Sequence, residues 1–288
     1  MAAAAAAAPT LSLADVRYVR ADSPTTLKIS AKSGESHKIL EIYIDSPAAD
    51  SYMDVIIGNA TVARIPIYYS DCLFVAPYSG SIYNWSIIQL IHKIFGEGAD
   101  FEADQDEDIT LQFSSTPGTV HVFYEVGKPG IDKTALLRSG CKNFALFNMI
   151  THSAAINATG NYSLNTPMTP VGFPSISDGF IIPSGRRFIL KALAFRSASS
   201  GNSKTTYVHV WDENFEFFDP LGHKGISVEP AKNVLAVDIK TLDIYTFPDY
   251  EILSGHKLTL NFDASYDGTN AIAAGTAKLF LIGLWVTG

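Results

Sequence analysis

The chain has 288 residues, 47% hydrophobic and only 17% charged, with a formal net charge of −8. That length holds one large or two ordinary domains, and the charged fraction is below the usual ~25%, as expected of a large core or of surface hidden against copies of the same chain. The acidic balance excludes a basic nucleic-acid surface, because Arg186-Arg187 and Arg17/Arg20 are isolated pairs. Two cysteines, Cys72 and Cys141, are too few for a disulfide scaffold, and with no CxxC pair and no His/Cys cluster at zinc-ligand spacing they read as small buried thiols.

Met1 is followed by seven alanines and Pro9. There is no basic leader and no strongly apolar stretch of signal-peptide type, so residues 1–20 read as an N-terminal tail. No run of 18 uncharged apolar residues reads as a membrane span. The Asn-x-Ser/Thr triplets at Asn59, Asn84, Asn157 and Asn161 read as chance matches.

From residue 21 onward, strand periodicity dominates. Leu40–Asp45, Asp54–Gly58, Val62–Tyr68 and Leu73–Ala76 read as strands. Residues Ser81–Phe95 break the pattern. Ile82, Trp85, Ile88, Leu90 or Ile91, and Phe95 fall at helical spacing, with Ser81 as N-cap and Gly96 as stop. In 108–114, Ile109, Leu111 and Phe113 alternate with polar residues; after Thr116-Pro117-Gly118, so do Val120, Val122, Tyr124 and Val126. The two runs read as a hairpin.

Residues 128–178 are rich in Ser, Thr, Asn and Pro, with a short helical piece over Thr134–Phe147. So long an irregular stretch reads as a linker or arm between two domains, 21–127 and 179–288. Strands resume with Arg187–Phe195, Thr205–Trp211, Ile226–Glu229, Val234–Ile239, Lys257–Phe262 and Lys278–Val286.

The two halves rhyme. Ser33-Gly34 and Ser184-Gly185 each precede an Ile-Leu strand start, 151 residues apart (184 − 33). Asp108–Ser114, DITLQFS, matches Lys257–Asp263, KLTLNFD, at an offset of 149 (260 − 111). In each half a long strand closes the unit. The expected fold class is all-β: two tandem eight-stranded jelly-roll sandwiches with one or two short helices.

No catalytic, cofactor-binding or metal site is assigned. The seven histidines form no HxH or HExxH pattern, and no nucleophile elbow or phosphate loop is present. His209, Asp212, Glu213 and His223 read as a strand running into an acidic turn. Glu102, Asp104, Asp106, Glu107 and Asp108 have the spacing of calcium-loop donors but lack the glycine and distal glutamate, and read as a solvated loop. Trp211, Phe215, Phe217 and Phe218, with Tyr43, Tyr68, Tyr69 and Tyr78, read as core or interface aromatics, or as a sugar platform if exposed.

Two tandem sandwiches, an in-line helix, low charge and no catalytic constellation resemble the double jelly-roll major capsid proteins of tailless icosahedral viruses. The closing Leu258–Asp263 and Leu279–Trp285, an apolar strand ending in Gly-x-Trp, resemble the C-terminal hairpin of the corticovirus-type capsid protein. The resemblance implies a non-enzymatic virion protein, made in the host cytoplasm, that trimerises and tiles a shell. It also implies contacts with other capsid or penton proteins and with an inner membrane. No specific nucleic-acid binding and no cofactor are expected. A carbohydrate-binding or host-attachment protein on the same scaffold is the alternative.

Overall fold

The computed structural model describes residues 15–30, 32–45, 51–69, 72–73, 86–127, 137–138, 143–152, 160–161, 164–165, 180–197, 206–212, 215–216, 226–228, 243–263 and 277–287. In the first half the strands are β1 (Asp15–Asp22), β2 (Thr26–Ile29), β3 (Ser36–Asp45), β4 (Ser51–Ile57), β5 (Ala60–Tyr69) and β6 (Cys72–Leu73). Helix α1 (Ile87–Phe95) follows, then β7 (Phe101–Ala103), β8 (Ile109–Phe113) and β9 (Thr119–Gly127). Beyond these lie β10 (Leu137–Arg138), β11 (Asn143–His152), β12 (Gly160–Asn161), β13 (Leu164–Asn165), β14 (Phe180–Ile181) and β15 (Arg186–Ser197). The chain continues through β16 (Thr206–Asp212), β17 (Phe215–Glu216), β18 (Ile226–Val228), β19 (Asp243–Ile252), β20 (Lys257–Asp263) and β21 (Ala277–Thr287). The protein is all-β with one helix among the described residues, as its periodicity requires.

The first unit is a two-sheet sandwich. One sheet runs β1-β9-β3-β7 and the other β2-β8-β4-β5. Alternation decides which side chains meet between them. Ile39, Ile42, Ile44, Val120 and Val122 come from one sheet, and Leu27, Ile29, Met53, Val55, Ile57, Ile109, Leu111 and Phe113 from the other. All are buried.

The second unit repeats this arrangement. Sheet order β11-β21-β15-β19 answers β1-β9-β3-β7, and β14-β20-β16, flanked by β17 and β18, answers β2-β8-β4-β5. The registers agree, apart from a bulge of β4 against β5 between Ser51 and Tyr52 that β16 lacks against β18. Ile29↔Ile109 in the first unit corresponds to Phe180↔Leu258 in the second, at the sequence offsets of 151 and 149. His37↔Ala103 corresponds to Phe188↔Ile252 at the same two offsets. Gly34 and Gly185, the turn glycines of the repeat, both have positive φ, 80° and 74°, which glycine adopts without the Cβ penalty.

The units are not separate. β11 pairs antiparallel with β21 and parallel with β5, through Ala145↔Ala63 and Leu146↔Arg64. One sheet therefore runs from β19 to β2 across both halves. Ala192, Ala194, Phe280, Ile282 and Leu284 join the same core cluster as the first unit and α1.

Several sequence expectations are corrected. The runs at 109–113 and 119–127 form no hairpin: β8 pairs with β2 and β4, while β9 pairs with β1 and β3 in the opposite sheet. Alternation reports which face is buried, and two strands facing each other across a core alternate as well as two side by side. Residues 15–20, placed in the tail, are most of β1. The helical piece at 134–147 is replaced by β10 and the start of β11, inside the stretch read as a linker. β19 carries no clear strand signal in the sequence, because Pro248 interrupts its apolar run. The helix begins at Ile87 with Ser86 as its N-cap, not Ser81, and stops at Gly96 as expected. Val234–Ile239 lies outside the described residues, as do Asn84, Asn157, Cys141 and His223.

Candidate functional surface

The first sheet presents an outer face built by β1, β9 and β3. Val19 and Ala21 turn inward against the core, so Val16, Tyr18, Arg20 and Asp22 point out. Register places Tyr18 beside Phe123, and His121 between Arg20 and Tyr43. The Tyr18 and Phe123 ring centroids are 4.8 Å apart, and Tyr43 meets Phe123 edge-on at 6.5 Å. Tyr18 Oη lies 2.8 Å from His121 Nδ1. The result is a short aromatic row at the sheet surface, with Val16 and Tyr18 about half exposed (54% and 50%).

Charge flanks β1 on both faces. On the outer face Arg20 bonds Asp22 at 3.0 Å, and on the opposite face Arg17 bonds Asp15 at 2.7 Å. The Thr119 hydroxyl donates to Asp22 at 3.0 Å and, with Arg20, holds that carboxyl below its usual range. The hydrogen bond from Arg17 to Asp15 raises the guanidinium further. These exposed pairs add little stability; Arg20 stays on its own strand, while Arg17 also reaches Glu35 at 3.6 Å.

A second polar constellation ties α1 to the sheet. His92 Nε2 donates to Asp100 Oδ1 at 2.8 Å, and Lys38 Nζ reaches Asp100 Oδ2 at 2.7 Å. Both oxygens of the buried Asp100 are thus engaged, which suits a structural tie between helix, β3 and the approach to β7. Ser86 accepts from Ile88 N at 3.1 Å, capping α1, and from Ile42 N at 3.3 Å on β3. Beyond Lys38, β7 no longer covers that edge of β3, and the cap serine takes over the backbone donor.

The third constellation stands where β5 meets β11. Arg64 forks onto Asp54 with two 2.6 Å hydrogen bonds, and its guanidinium carbon lies 3.9 Å from the Tyr52 ring centroid. Asp54 and Arg64 are direct cross-strand partners. His37, almost fully buried, has its Nε2 3.7 Å from Glu35. Its Nδ1 has no hydrogen-bond partner among the described residues, and burial lowers its pKa.

The acidic loop does not converge. Glu102 is buried, the Glu107 carboxylate accepts from Asp104 N at 3.1 Å, and Asp108 pairs with Lys28. Among the described residues no group of three or more His, Cys, Asp or Glu side chains could hold a metal ion. The backbones of His209 and Asp212 lie in β16; the side chains of these two and of Trp211 and Phe215, and residues Glu213, Phe217 and Phe218, fall outside the described residues. The outer aromatic row is legible only in part in the sequence: Tyr43 stands out, but Tyr18 falls within residues 1–20, which read as a tail. No helix among the described residues is long and apolar enough to cross a membrane.

No protein-family description matches the sequence, and no curated protein matches it. Among solved structures, the chain is similar to the major capsid protein P2 from bacteriophage PM2, with TM-score 0.43 and 11% identity over 95% of this chain and 98% of that one. It is also similar to N-glycanase F, with TM-score 0.31 and 8% identity over 95% and 96%. A tandem CBM22 domain of Xyn10C from Paenibacillus barcinonensis follows, with TM-score 0.19 and 7% identity over 95% and 91%.

Proposed function

We propose that this chain is a non-enzymatic structural protein of a virus particle, a capsid subunit whose two units are tandem jelly rolls. One observation carries the reading: the same two-sheet unit occurs twice in one chain, with corresponding registers at β2–β8 and β14–β20 and at β3–β7 and β15–β19. A duplicated unit gives a chain two similar sets of lateral surfaces, which suits side-by-side packing in a shell. The 17% charged fraction fits subunits that bury much of their surface against one another. The partners are then other copies of this chain, as a homotrimer and a lattice, with penton proteins and an inner membrane as further contacts. The location is the virion.

Light scattering over a concentration series, followed by electron microscopy of concentrated protein, tests this. Trimers, sheets or shells are expected. A species that stays at the monomer mass at every concentration and salt level overturns the proposal.

The aromatic row of Tyr18, Phe123 and Tyr43 favours a second reading, attachment to carbohydrate, since an exposed ring face stacks on sugars. Saturable binding on a glycan array that is lost in Tyr18→Ala supports it; an empty array removes it.

A further inference from the structure

The two units share one topology but differ in what covers the outer strand of the first sheet. In the second unit that strand is β11, and β5 of the first unit lies parallel to it inside the same chain. In the first unit the equivalent strand is β1. It pairs with β9 along all eight residues on one side, Asp15↔Val126 to Asp22↔Thr119, and no strand among the described residues pairs with its other side. The counterpart of β5 in the second unit is the flank of β16 made by β17 and β18. Asp212↔Phe215 answers Ile57↔Ala60, and Thr206↔Val228 answers Ser51↔Tyr68. Among the described residues that flank has no further strand partner either.

We infer that the open edge of β1 is a docking site for a second copy of this chain, which adds its β17–β18 flank as a parallel strand. The inference rests on the self-assembly proposed above and names the surfaces that carry it. The joint already made within the chain, β5 on β11, would be made again between chains, β18 on β1.

Three observations support this occupant. An open eight-residue edge offers a row of backbone donors and acceptors to another strand. Of the four large hydrophobic residues exposed among the described residues, two, Val16 and Tyr18, sit on this one strand. The charge order of β1 also opposes its pairing with itself. In the full-length antiparallel register, Asp15 would face Asp22 and Arg17 would face Arg20, placing like charges directly opposite. A two-fold β1–β1 dimer is disfavoured, whereas joining two different surfaces head to tail lets a ring of copies close.

The register is specific. Tyr18↔Phe123 and Phe147↔Ile282 are equivalent pairs, so Tyr18 of β1 answers Phe147 of β11. Extending Ala145↔Ala63 and Leu146↔Arg64 by one residue brings Phe147 beside Ile65. Ile65 pairs with Met53 as Ile226 pairs with Val208. Tyr18 of one copy therefore lies beside Ile226 of the next.

The test uses the full-length chain in two arms. In the first, Val16→Lys with Tyr18→Lys is compared with the unaltered chain by light scattering, with circular dichroism and a thermal melt as fold controls. The assembled mass is expected to fall to the 31.2 kDa monomer while the spectrum is retained. In the second, separately purified Tyr18→Cys and Ile226→Cys proteins are mixed under mild oxidation. A disulfide-linked dimer is expected in the mixture and not in either protein alone or in the unaltered chain, which carries only Cys72 and Cys141. Lysine variants that assemble normally, or a mixture that forms no linked dimer, overturn the edge assignment while leaving self-assembly standing. If the lysine variants misfold, the cysteine arm decides. An unaltered chain that is monomeric throughout overturns both proposals.

Discussion

Leu40 and Lys191 occupy the same place in the two units. Each is the extra residue that β3 or β15 inserts against its partner strand, between Ile39 and Glu41 in one case and Leu190 and Ala192 in the other. Their separation, 151 (191 − 40), is that of the two Ser-Gly turns. A bulge is a local device that bends a strand and increases its twist. Its recurrence at the offset of the turn and of the flanking registers marks a duplicated unit more strongly than any short sequence match.

Gly283 allows β21 to lie tightly against β15. A Cβ there would run into the backbone carbonyl oxygen of Ile189 and approach Phe188 Cζ at 2.9 Å. Gly283→Ala is expected to destabilise the protein by about 2–4 kcal/mol through overpacking, read from urea denaturation. A change below about 0.5 kcal/mol would contradict the close approach of the two strands.

The Asp54–Arg64 fork is mostly shielded from water. Removing one partner leaves a charge without compensation, so Asp54→Ala is expected to cost about 2–4 kcal/mol. Replacing both, Asp54→Leu with Arg64→Met, is expected to recover most of that loss. A double-mutant cycle by chemical denaturation measures the coupling, and additive losses would show that the pair does not act as a unit.

Ser86 has two acceptor duties, to Ile88 N and Ile42 N. Ser86→Ala is expected to lower stability by about 1–2 kcal/mol, the cost of a lost helix cap and a backbone donor left buried. Ser86→Asp restores an acceptor but buries a charge, so it is not expected to rescue. Hydrogen exchange at Ile42 N is expected to quicken in the alanine variant; unchanged protection would contradict the role on β3.

His37 makes stability depend on pH. Burial lowers its pKa from 6.5, against the opposing pull of Glu35 and Asp108 and with help from Arg17 and Lys32. The unfolded chain takes up this proton at higher pH than the folded one. Between the two values the unfolded state holds more protons, so stability falls as pH drops below about 6.5, by at most about 1.4 kcal/mol per pH unit, and levels off below the folded value. Thermal melts from pH 7.5 to 5 are expected to show this slope, and His37→Phe to flatten it. An equal slope in both proteins would place the titrating group elsewhere.

The strand content and repeat were legible because local rules create them. Period-2 alternation at 109–113 marks a half-buried strand wherever it sits, and glycine at 34 and 185 marks a turn with positive φ. Gly96 as the helix stop followed from the same kind of rule. The surface was harder to see. Tyr18 is hidden by its place in an apparent tail, where eight residues alternate too weakly to announce a strand. The acidic loop draws attention by spacing, yet the carboxylates of Glu107 and Asp108 go separately to Asp104 N and to Lys28.

The sequence by itself determined the β class, the repeat and the low charged fraction, because side-chain periodicity, turn chemistry and composition are properties of neighbours along the chain. Only the tertiary structure decided which strands are neighbours in space. It moved β8 and β9 into opposite sheets, turned residues 143–152 from a linker into the strand that joins the two units, and left one edge of β1 without a strand partner among the described residues. Pairing across a sheet is set by backbone hydrogen bonds between distant segments, and these leave no local trace in the order of residues.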